Sequence, residues 1–188
     1  MAAGSEGSGY WFELKNRVRG PSAPLHPGVK PNTLPLKSFV GNVAHSNYVR
    51  GLATYPGYNP TEEAAFVDLQ MYRNRGSGFF AVGGLFLVQG GIFADNRVSI
   101  AVDRAHSLRV IDAQFVGITP SFADSVSASG KTGQCPSLGV MLHSVRKGGT
   151  SATGVVLQDL HFAHFGEGTQ CPGSSGEFEL ALRHSALR

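Results

Sequence analysis

The fold is decided by residues 83–117, which read GGLFLVQGGIFADNRVSIAVDRAHSLRVIDAQFVG and repeat themselves. At an offset of 23 the aligned pairs are Leu85/Leu108, Leu87/Val110, Val88/Ile111, Ile92/Phe115 and Phe93/Val116. At an offset of 21 they are Val67/Val88, Met71/Ile92 and Tyr72/Phe93. Short β-prone runs at this period, broken by Gly, Asn and Asp, indicate a solenoid whose stacked units cover one another's apolar faces. The sequence therefore predicts an all-β stack of coils.

The composition supports a turn-rich β protein and narrows the classes of function. Glycine is frequent at 25 residues and only 15% of residues are charged, which is unusual for a helical bundle. The formal net charge is +3 without a dense run of Lys and Arg, so we expect no nucleic-acid partner, although an anionic glycan is compatible. From the sequence we expect neither a signal peptide nor a membrane-spanning segment within this chain.

The chain reads as one domain with long connections. We expect a flexible tail at residues 1–9 and a single β-helix domain at residues 10–188, with loops near 21–35, 119–136 and 166–176. Residues 64–72 fit either a helix or a repeat strand. The chain starts and stops amid repeat-like sequence, so we expect an incomplete fragment of a longer protein.

Corners between the strands need residues that tolerate a positive φ. Asn42, Asn74 and Asn96 lie near such corners, and asparagines there can stack in a ladder from coil to coil. The two cysteines, Cys135 and Cys171, each lie in a Gln-Cys-Pro triplet. They form either a disulfide bridge or two buried thiols, and without a Cys-x-x-Cys motif they indicate no metal cluster.

Three further segments resemble one known family. They are residues 9–14 (GYWFEL), residues 42–46 (NVAHS) and residues 55–61 (YPGYNPT). Together they resemble the β-helix region of fibrocystin-L and of the cell-migration-inducing and cell-surface hyaluronidases. These proteins join a G8 domain to a right-handed parallel β-helix, and the G8 domain is missing here. The resemblance implies a right-handed parallel β-helix from an extracellular or cell-surface protein, but it assigns no catalytic residue.

The candidates for catalysis are His45, Asp95 and Asp103. His45 would need a nearby carboxylate or metal ion; otherwise it caps a corner by bonding to the backbone. Acids such as Asp103, which precedes Arg104, serve β-helix lyases and glycosidases, but they are also ordinary turn residues. Calcium follows only by analogy with those lyases, and we expect no other cofactor.

The candidates for ligand binding are aromatic and cationic. Tyr48, Tyr55 and Tyr58, with Trp11, could form a platform for sugar rings, while Arg73 and Arg75 would contact anionic groups. The alternative is that tyrosines beside prolines pack a loop onto the solenoid.

A pair of histidines, His161 and His164, has a spacing that would bind a metal ion on a helix. Their surroundings are strand-like, and residues three apart on a strand point to opposite faces. We therefore expect no metal site there.

Three functions remain open from the sequence. The first is a carbohydrate-interacting module with a hyaluronan-like ligand. The second is a structural or protein-interaction segment of a large fibrocystin-like receptor, with a protein partner at the cell surface. The third is a polysaccharide hydrolase or lyase, for which no clear catalytic motif is present.

Overall fold

The computed structural model describes residues 1–129, 136, 138–143, 154–165 and 181–182. Their strands follow one another in coils around a common axis. Coil 1 contains β1 (Ala2–Ala3) and β2 (Ser8–Trp11), coil 2 contains β3 (Val43–His45), β4 (Arg50–Ala53) and β5 (Ala64–Val67), and coil 3 contains β6 (Gln70–Tyr72), β7 (Ser77–Val82) and β8 (Leu85–Gln89). Coil 4 contains β9 (Ile92–Ala94), β10 (Val98–Asp103) and β11 (Ser107–Ile111), coil 5 contains β12 (Gln114–Val116), the helix α1 (Pro120–Ser129), β13 (Leu138–His143) and β14 (Val155–Gln158), and coil 6 contains β15 (His161–Ala163) and β16 (Ala181–Leu182).

The coils stack into three parallel sheets. Sheet A has the order β1-β3-β6-β9-β12-β15, sheet B the order β2-β4-β7-β10-β13-β16, and sheet C the order β5-β8-β11-β14. Each strand pairs in parallel with its equivalents in the neighbouring coils. The chain thus forms an all-β parallel β-helix, as the repeats predicted, and residues 64–72 form strands rather than a helix.

The register corrects the alignment of the repeats. Val88 lies opposite Val110 and Phe93 lies opposite Phe115, so the observed offset in sheets A and C is 22 residues. The asparagines Asn74 and Asn96 are separated by the same 22 residues. The offset of 21 holds in sheet B, where Phe79 pairs with Ile100. A slip of one residue moves a side chain to the other face of a strand.

Two apolar side chains show the consequence of this register. Leu85 and Ile92, which the sequence alignment placed inside, are exposed on the surface. Their neighbours Phe86 and Phe93 are fully buried; the alignment had included Phe93 but not Phe86. The alignment therefore grouped outward-facing residues with interior ones such as Val88 and Phe93.

Aromatic rings fill the interior along the axis. Phe93 stacks on Phe115 with 5.4 Å between ring centroids, and Phe115 stacks on Phe162 at 4.9 Å. These rings are the central residues of the three-residue strands of sheet A, whose flanking side chains point outward. Each coil therefore buries its apolar residues against the next coil, as a solenoid requires.

Residues in the left-handed region end the strands of sheet A. Ser46, Arg73 and Asp95 all have φ of 55°, and each is followed by a buried asparagine. Asn47 donates its side-chain amide to Oδ1 of Asn74 at 2.9 Å, and Asn74 donates to Oδ1 of Asn96 at 3.0 Å. The predicted ladder therefore exists, but the member from coil 2 is Asn47.

Asn42 takes no part in this ladder. It is half-buried, and its side-chain amide donates to the carbonyl of Val40 at 3.4 Å. Asn42 also precedes β3, whereas the asparagines of the ladder follow strands of sheet A. It therefore lies at a different corner of the coil.

Two expectations about local order differ from the structure. Residues 1–9 are not a free tail, because Ala2 and Ala3 pair with β3 and the amide of Ser5 donates to Oδ1 of Asn47. The segment near 119–136 begins with α1, whose first residue is Pro120, and proline is favoured at that position of a helix.

The other two predicted loops have different outcomes. Residues 21–35 form a surface connection that contains parts of two short 3₁₀ helices, Gly20–Ser22 and Pro31–Thr33. Residues 166–176 lie outside the described residues. Cys135 and Cys171 also lie outside them.

Candidate functional site

Two shallow grooves adjoin each other, one on the outer face of sheet A and one along the corner between sheets A and B. The first, the Tyr72 groove, has a volume of about 290 Å³ and is lined by residues that include Gln70, Tyr72, Arg73, Asp95, Thr119 and Ser121. The second, the Tyr48 groove, has a volume of about 420 Å³ and is lined by residues that include Glu6, Ser46, Tyr48, Arg73, Arg75 and Phe122. Arg73 lines both grooves, and residues at the start of α1 form part of each wall.

An aromatic pair lies at the Tyr72 groove. His45 and Tyr72 are opposite each other in sheet A, and their rings stack with centroids 4.6 Å apart and planes within 4°. The next residue in this row is Ala94, which also lines the groove. Because Ala94 carries only a methyl group, the space beside the Tyr72 ring stays open.

A polar network fixes the wall that α1 provides. The Asp95 carboxylate is 4% exposed and accepts hydrogen bonds from the backbone N–H and the hydroxyl of Thr119, both at 2.7 Å. Arg73 donates to the hydroxyl of Ser121 at 2.7 Å, and its Nε lies 3.8 Å from Asp95 Oδ2. A buried carboxylate needs such partners. Asp95 therefore holds both Arg73 and the N-terminal turn of α1.

The structure does not bring the three catalytic candidates together. His45 contacts Tyr72 and lies 3.1 Å from the hydroxyl of Ser46. Asp95 follows a strand of sheet A, whereas Asp103 ends a strand of sheet B and accepts a hydrogen bond from Arg104 at 3.2 Å. The two acids therefore occupy different corners of coil 4, which does not favour a paired-acid mechanism.

The predicted aromatic platform is divided among three places. Tyr58 is buried against Phe12 and Phe86, so it packs the loop into the core instead of facing a ligand. Tyr55 accepts a hydrogen bond at its carbonyl from the Trp11 indole at 2.7 Å, and both side chains are exposed beside sheet B. Tyr48 is the member of this set that lines one of the two grooves, at the corner between sheets A and B.

Two arginines make cation–π contacts near these sites. The Arg75 guanidinium lies 4.6 Å from the centroid of the Tyr48 ring at the Tyr48 groove. On sheet B, the Arg50 guanidinium lies 4.2 Å from the Phe80 ring, and its burial lowers the pKa of Arg50, against a smaller opposing effect of Tyr55. A guanidinium packed on a ring face keeps its charge and its planar N–H donors for an anionic ligand.

Metal ligation has no basis in the described residues, among which no three His, Cys, Asp or Glu side chains are grouped to hold an ion. His161 pairs with Gln114 in sheet A, whereas His164 lies at the following corner with φ of 58°. The pairing of Cys135 with Cys171 stays a prediction, because neither residue is among those described.

Sequence reasoning missed Gln70, Tyr72, Thr119 and Ser121 as groove residues. The signal that would have found Tyr72 is its register. In the observed pairing Tyr72 falls opposite Ala94 on the outer face, whereas the offset of 21 matched it to the interior Phe93. Thr119 and Ser121 could not be found this way, because α1 interrupts the repeat.

Comparison with known proteins supports the resemblance seen in the sequence. Residues 1–52 match the family model described as the CEMIP beta-helix. The chain is similar to the CEMIP β-helix proteins. The human cell surface hyaluronidase CEMIP2 is 27% identical over 155 residues, covering 62% of this chain. The mouse and human cell migration-inducing and hyaluronan-binding proteins are each 39% identical over 64 residues, covering 34% of it.

The chain corresponds to a small part of these CEMIP relatives. It spans 11% of the length of CEMIP2 and 5% of the length of the other two proteins. No solved structure gives a significant match. Among the residues that the structure describes, no helix combines the length and apolar character needed to cross a membrane.

Proposed function

We propose that this chain is a glycan-binding β-helix module of a cell-surface protein, and that its ligand is an acidic polysaccharide of the hyaluronan type. The observation that carries the proposal is the Tyr72 groove, in which Tyr72, whose ring stacks on His45, lines the wall together with Arg73. The site is open and shallow, which suits a polymer that lies along a surface.

The residues of the groove match the chemistry of an acidic sugar chain. The Tyr72 ring offers an apolar face to the C–H face of a pyranose, and Gln70 offers amide donors and acceptors to sugar hydroxyls. Arg73 is 40% exposed and can pair a sugar carboxylate through two N–H groups. The names of the relatives, which include a cell surface hyaluronidase and hyaluronan-binding proteins, support hyaluronan as the first ligand to test.

An enzymatic role receives less support from the geometry. Asp95 engages both carboxylate oxygens with Thr119, and Asp103 lies at another corner. A structural or protein-interaction role remains the alternative, and it predicts no affinity for glycans.

The proposal can be tested by titrating the 188-residue chain with hyaluronan oligosaccharides in a calorimeter. We expect Arg73→Gln to weaken binding about tenfold, since a charge-assisted contact contributes roughly 1.5 kcal/mol. Arg109→Gln is the matched control. Arg109 also pairs with a carboxylate, Glu63, and is 44% exposed, but it lies on sheet C.

Three further measurements separate the alternatives. Binding should weaken as salt is raised, because the ligand is anionic. Release of reducing ends or unsaturated products from hyaluronan would favour the enzyme. Absence of binding to acidic and neutral glycans, together with capture of a protein partner, would favour the structural segment.

A further inference from the structure

We infer that the Tyr72 groove and the Tyr48 groove form one continuous path for an extended acidic polysaccharide, so that the affinity of the chain depends on the length of the ligand. The inference rests on the proposed function and adds the position, extent and end of the binding path. The juxtaposition that carries it is Arg73, which lines both grooves.

The two grooves run across several coils. The Tyr48 groove includes Glu6 of coil 1, Tyr48 of coil 2 and Arg75 of coil 3, and the Tyr72 groove continues to Asp95 of coil 4 and Ser121 of coil 5. Neighbouring parallel strands lie about 4.8 Å apart, so four coil steps span roughly 19 Å. A path of this length requires several sugars.

Each of the two grooves pairs an aromatic residue with a cation. Tyr72 is adjacent to Arg73 in the Tyr72 groove, and Tyr48 packs against the Arg75 guanidinium in the Tyr48 groove. Each pair places an aromatic face beside a cation. A polysaccharide with alternating acidic and neutral sugars presents a repeating apolar face and a repeating carboxylate, and it can therefore engage both pairs at once.

The path has a defined end and a fixed wall. Glu6 lines the Tyr48 groove at coil 1, and its carboxylate would repel a further acidic sugar. On the other side, Phe122 of α1 is buried with Ile118 and lines the Tyr48 groove, while Ser121 lines the Tyr72 groove. The helix thus borders both grooves, so the ligand would run beside α1 from the face of sheet A to the corner between sheets A and B.

The test measures affinity for hyaluronan tetra-, hexa-, octa- and decasaccharides. We expect the affinity to rise with length and then reach a plateau once the path is filled. Tyr48→Ala should lower the affinity for the longest oligosaccharide about three- to tenfold, the loss expected for one aromatic contact. It should leave the affinity for the shortest one unchanged, whereas Tyr72→Ala should weaken both.

Tyr55→Ala is the matched control, because Tyr55 is also an exposed tyrosine but lies beside sheet B. Thermal unfolding of every variant checks that the coils remain folded. Equal affinity for all lengths, or an equal loss for short and long ligands in Tyr48→Ala, would overturn the continuous path and leave the proposed function standing. If no oligosaccharide binds at all, the proposed function fails and this inference fails with it.

Discussion

Asn74 is the residue on which two corners of the solenoid depend. Its side-chain oxygen accepts from the backbone and the side chain of Asn47, and its amide donates to Asn96 and to the carbonyl of Ala44. Buried amides satisfied in this way stabilise the stack because every alternative leaves polar groups unpaired in the interior.

Asn74→Ala should therefore lower the free energy of unfolding by about 2–4 kcal/mol, since it leaves several buried partners without a hydrogen bond. Asn42→Ala is the control, because the side chain of Asn42 makes a long, exposed hydrogen bond to Val40. Urea unfolding of both variants checks the difference. Similar losses of unfolding free energy in the two variants would show that the ladder contributes no more to stability than the exposed hydrogen bond of Asn42.

Gly51 marks a second restricted position at the residue scale. A Cβ added there would lie 2.6 Å from the carbonyl oxygen of Gly78 and 2.8 Å from the sulfur of Met71. Gly51→Ala should cost about 1–3 kcal/mol by overpacking. Gly28→Ala, which meets no atom within 4 Å, should change stability little. Thermal unfolding distinguishes the two, and equal melting temperatures would contradict the close packing.

The sequence predicted that an asparagine ladder exists, but it did not identify every asparagine that takes part. Asn74 and Asn96 were recognisable because they lie 22 residues apart beside turn signals. Asn47 lies 27 residues before Asn74, because an insertion lengthens coil 2, so no constant period reaches it. For Tyr58 the sequence left both a ligand platform and loop packing open, because a tyrosine in a Pro-Gly-Tyr turn gives no sign of whether it points into the core.

At the scale of elements, α1 depends on one carboxylate. Asp95→Asn would keep the left-handed backbone that asparagine tolerates, but it removes the charge that attracts Arg73 and an acceptor for the Thr119 hydroxyl. We expect faster amide hydrogen exchange in α1. Asp112→Asn is the control, since Asp112 has the same φ of 55° and is exposed. Unchanged exchange in Asp95→Asn would mean that α1 is held by Phe122 and Ile118 instead.

Tyr58 joins the loop of coil 2 to the proline-rich connection. Its hydroxyl donates to the carbonyl of Leu34 at 2.7 Å, and burial raises the pKa of Tyr58 above its ordinary value of 10.0. Since the folded chain holds this proton more tightly, the resulting stability is present below pH 10 and is lost as the pH rises through the raised pKa.

Tyr58→Phe should therefore lower the free energy of unfolding by about 1 kcal/mol at neutral pH. It should also make stability fall less steeply than in the wild type above pH 10. Denaturant unfolding at neutral and alkaline pH measures both effects. Parallel pH profiles for the two proteins would contradict the role assigned to Tyr58.

Elements that interrupt the repeat were the hardest to foresee. The strands could be predicted because each coil repeats their apolar spacing, but the residues of α1 have no counterpart in the neighbouring coils as far as the described residues extend. The groove on sheet A combines both kinds of element. The strand residues of sheet A that line it follow from the repeat of the sequence, whereas the residues that the α1 segment contributes do not.

At the scale of the whole molecule, an aromatic column runs through the interior. Phe93 is fully buried and stacks on Phe115, so Phe93→Ala should cost about 3–5 kcal/mol. Leu85→Ala, at an exposed position that the sequence alignment had placed inside, should cost much less. Chemical unfolding compares them, and equal losses would mean that the register of the coils is different.

The sequence sufficed for the architecture but not for the register. Apolar side chains such as Leu85 and Ile92 occur on the outer face, so hydrophobicity alone allowed two alignments that are each displaced by one from the observed pairing. The corner residues remove this ambiguity. Arg73-Asn74 and Asp95-Asn96 repeat at 22 residues, and that alignment places the side-chain amides of Asn74 and Asn96 in hydrogen-bonding contact.

The coils differ greatly in length although their pairing does not. From one corner asparagine to the next, the chain advances 27 residues between Asn47 and Asn74 but 22 residues between Asn74 and Asn96. Coil 5 is longer still, since it runs from Gln114 to its partner His161 within the same sheet A. Among the described residues, the additional ones lie between the paired strands, as residues 54–63 do between β4 and β5. Sequences of such proteins should accordingly be compared one coil at a time, because an insertion between two strands lengthens the chain without changing how the strands pair.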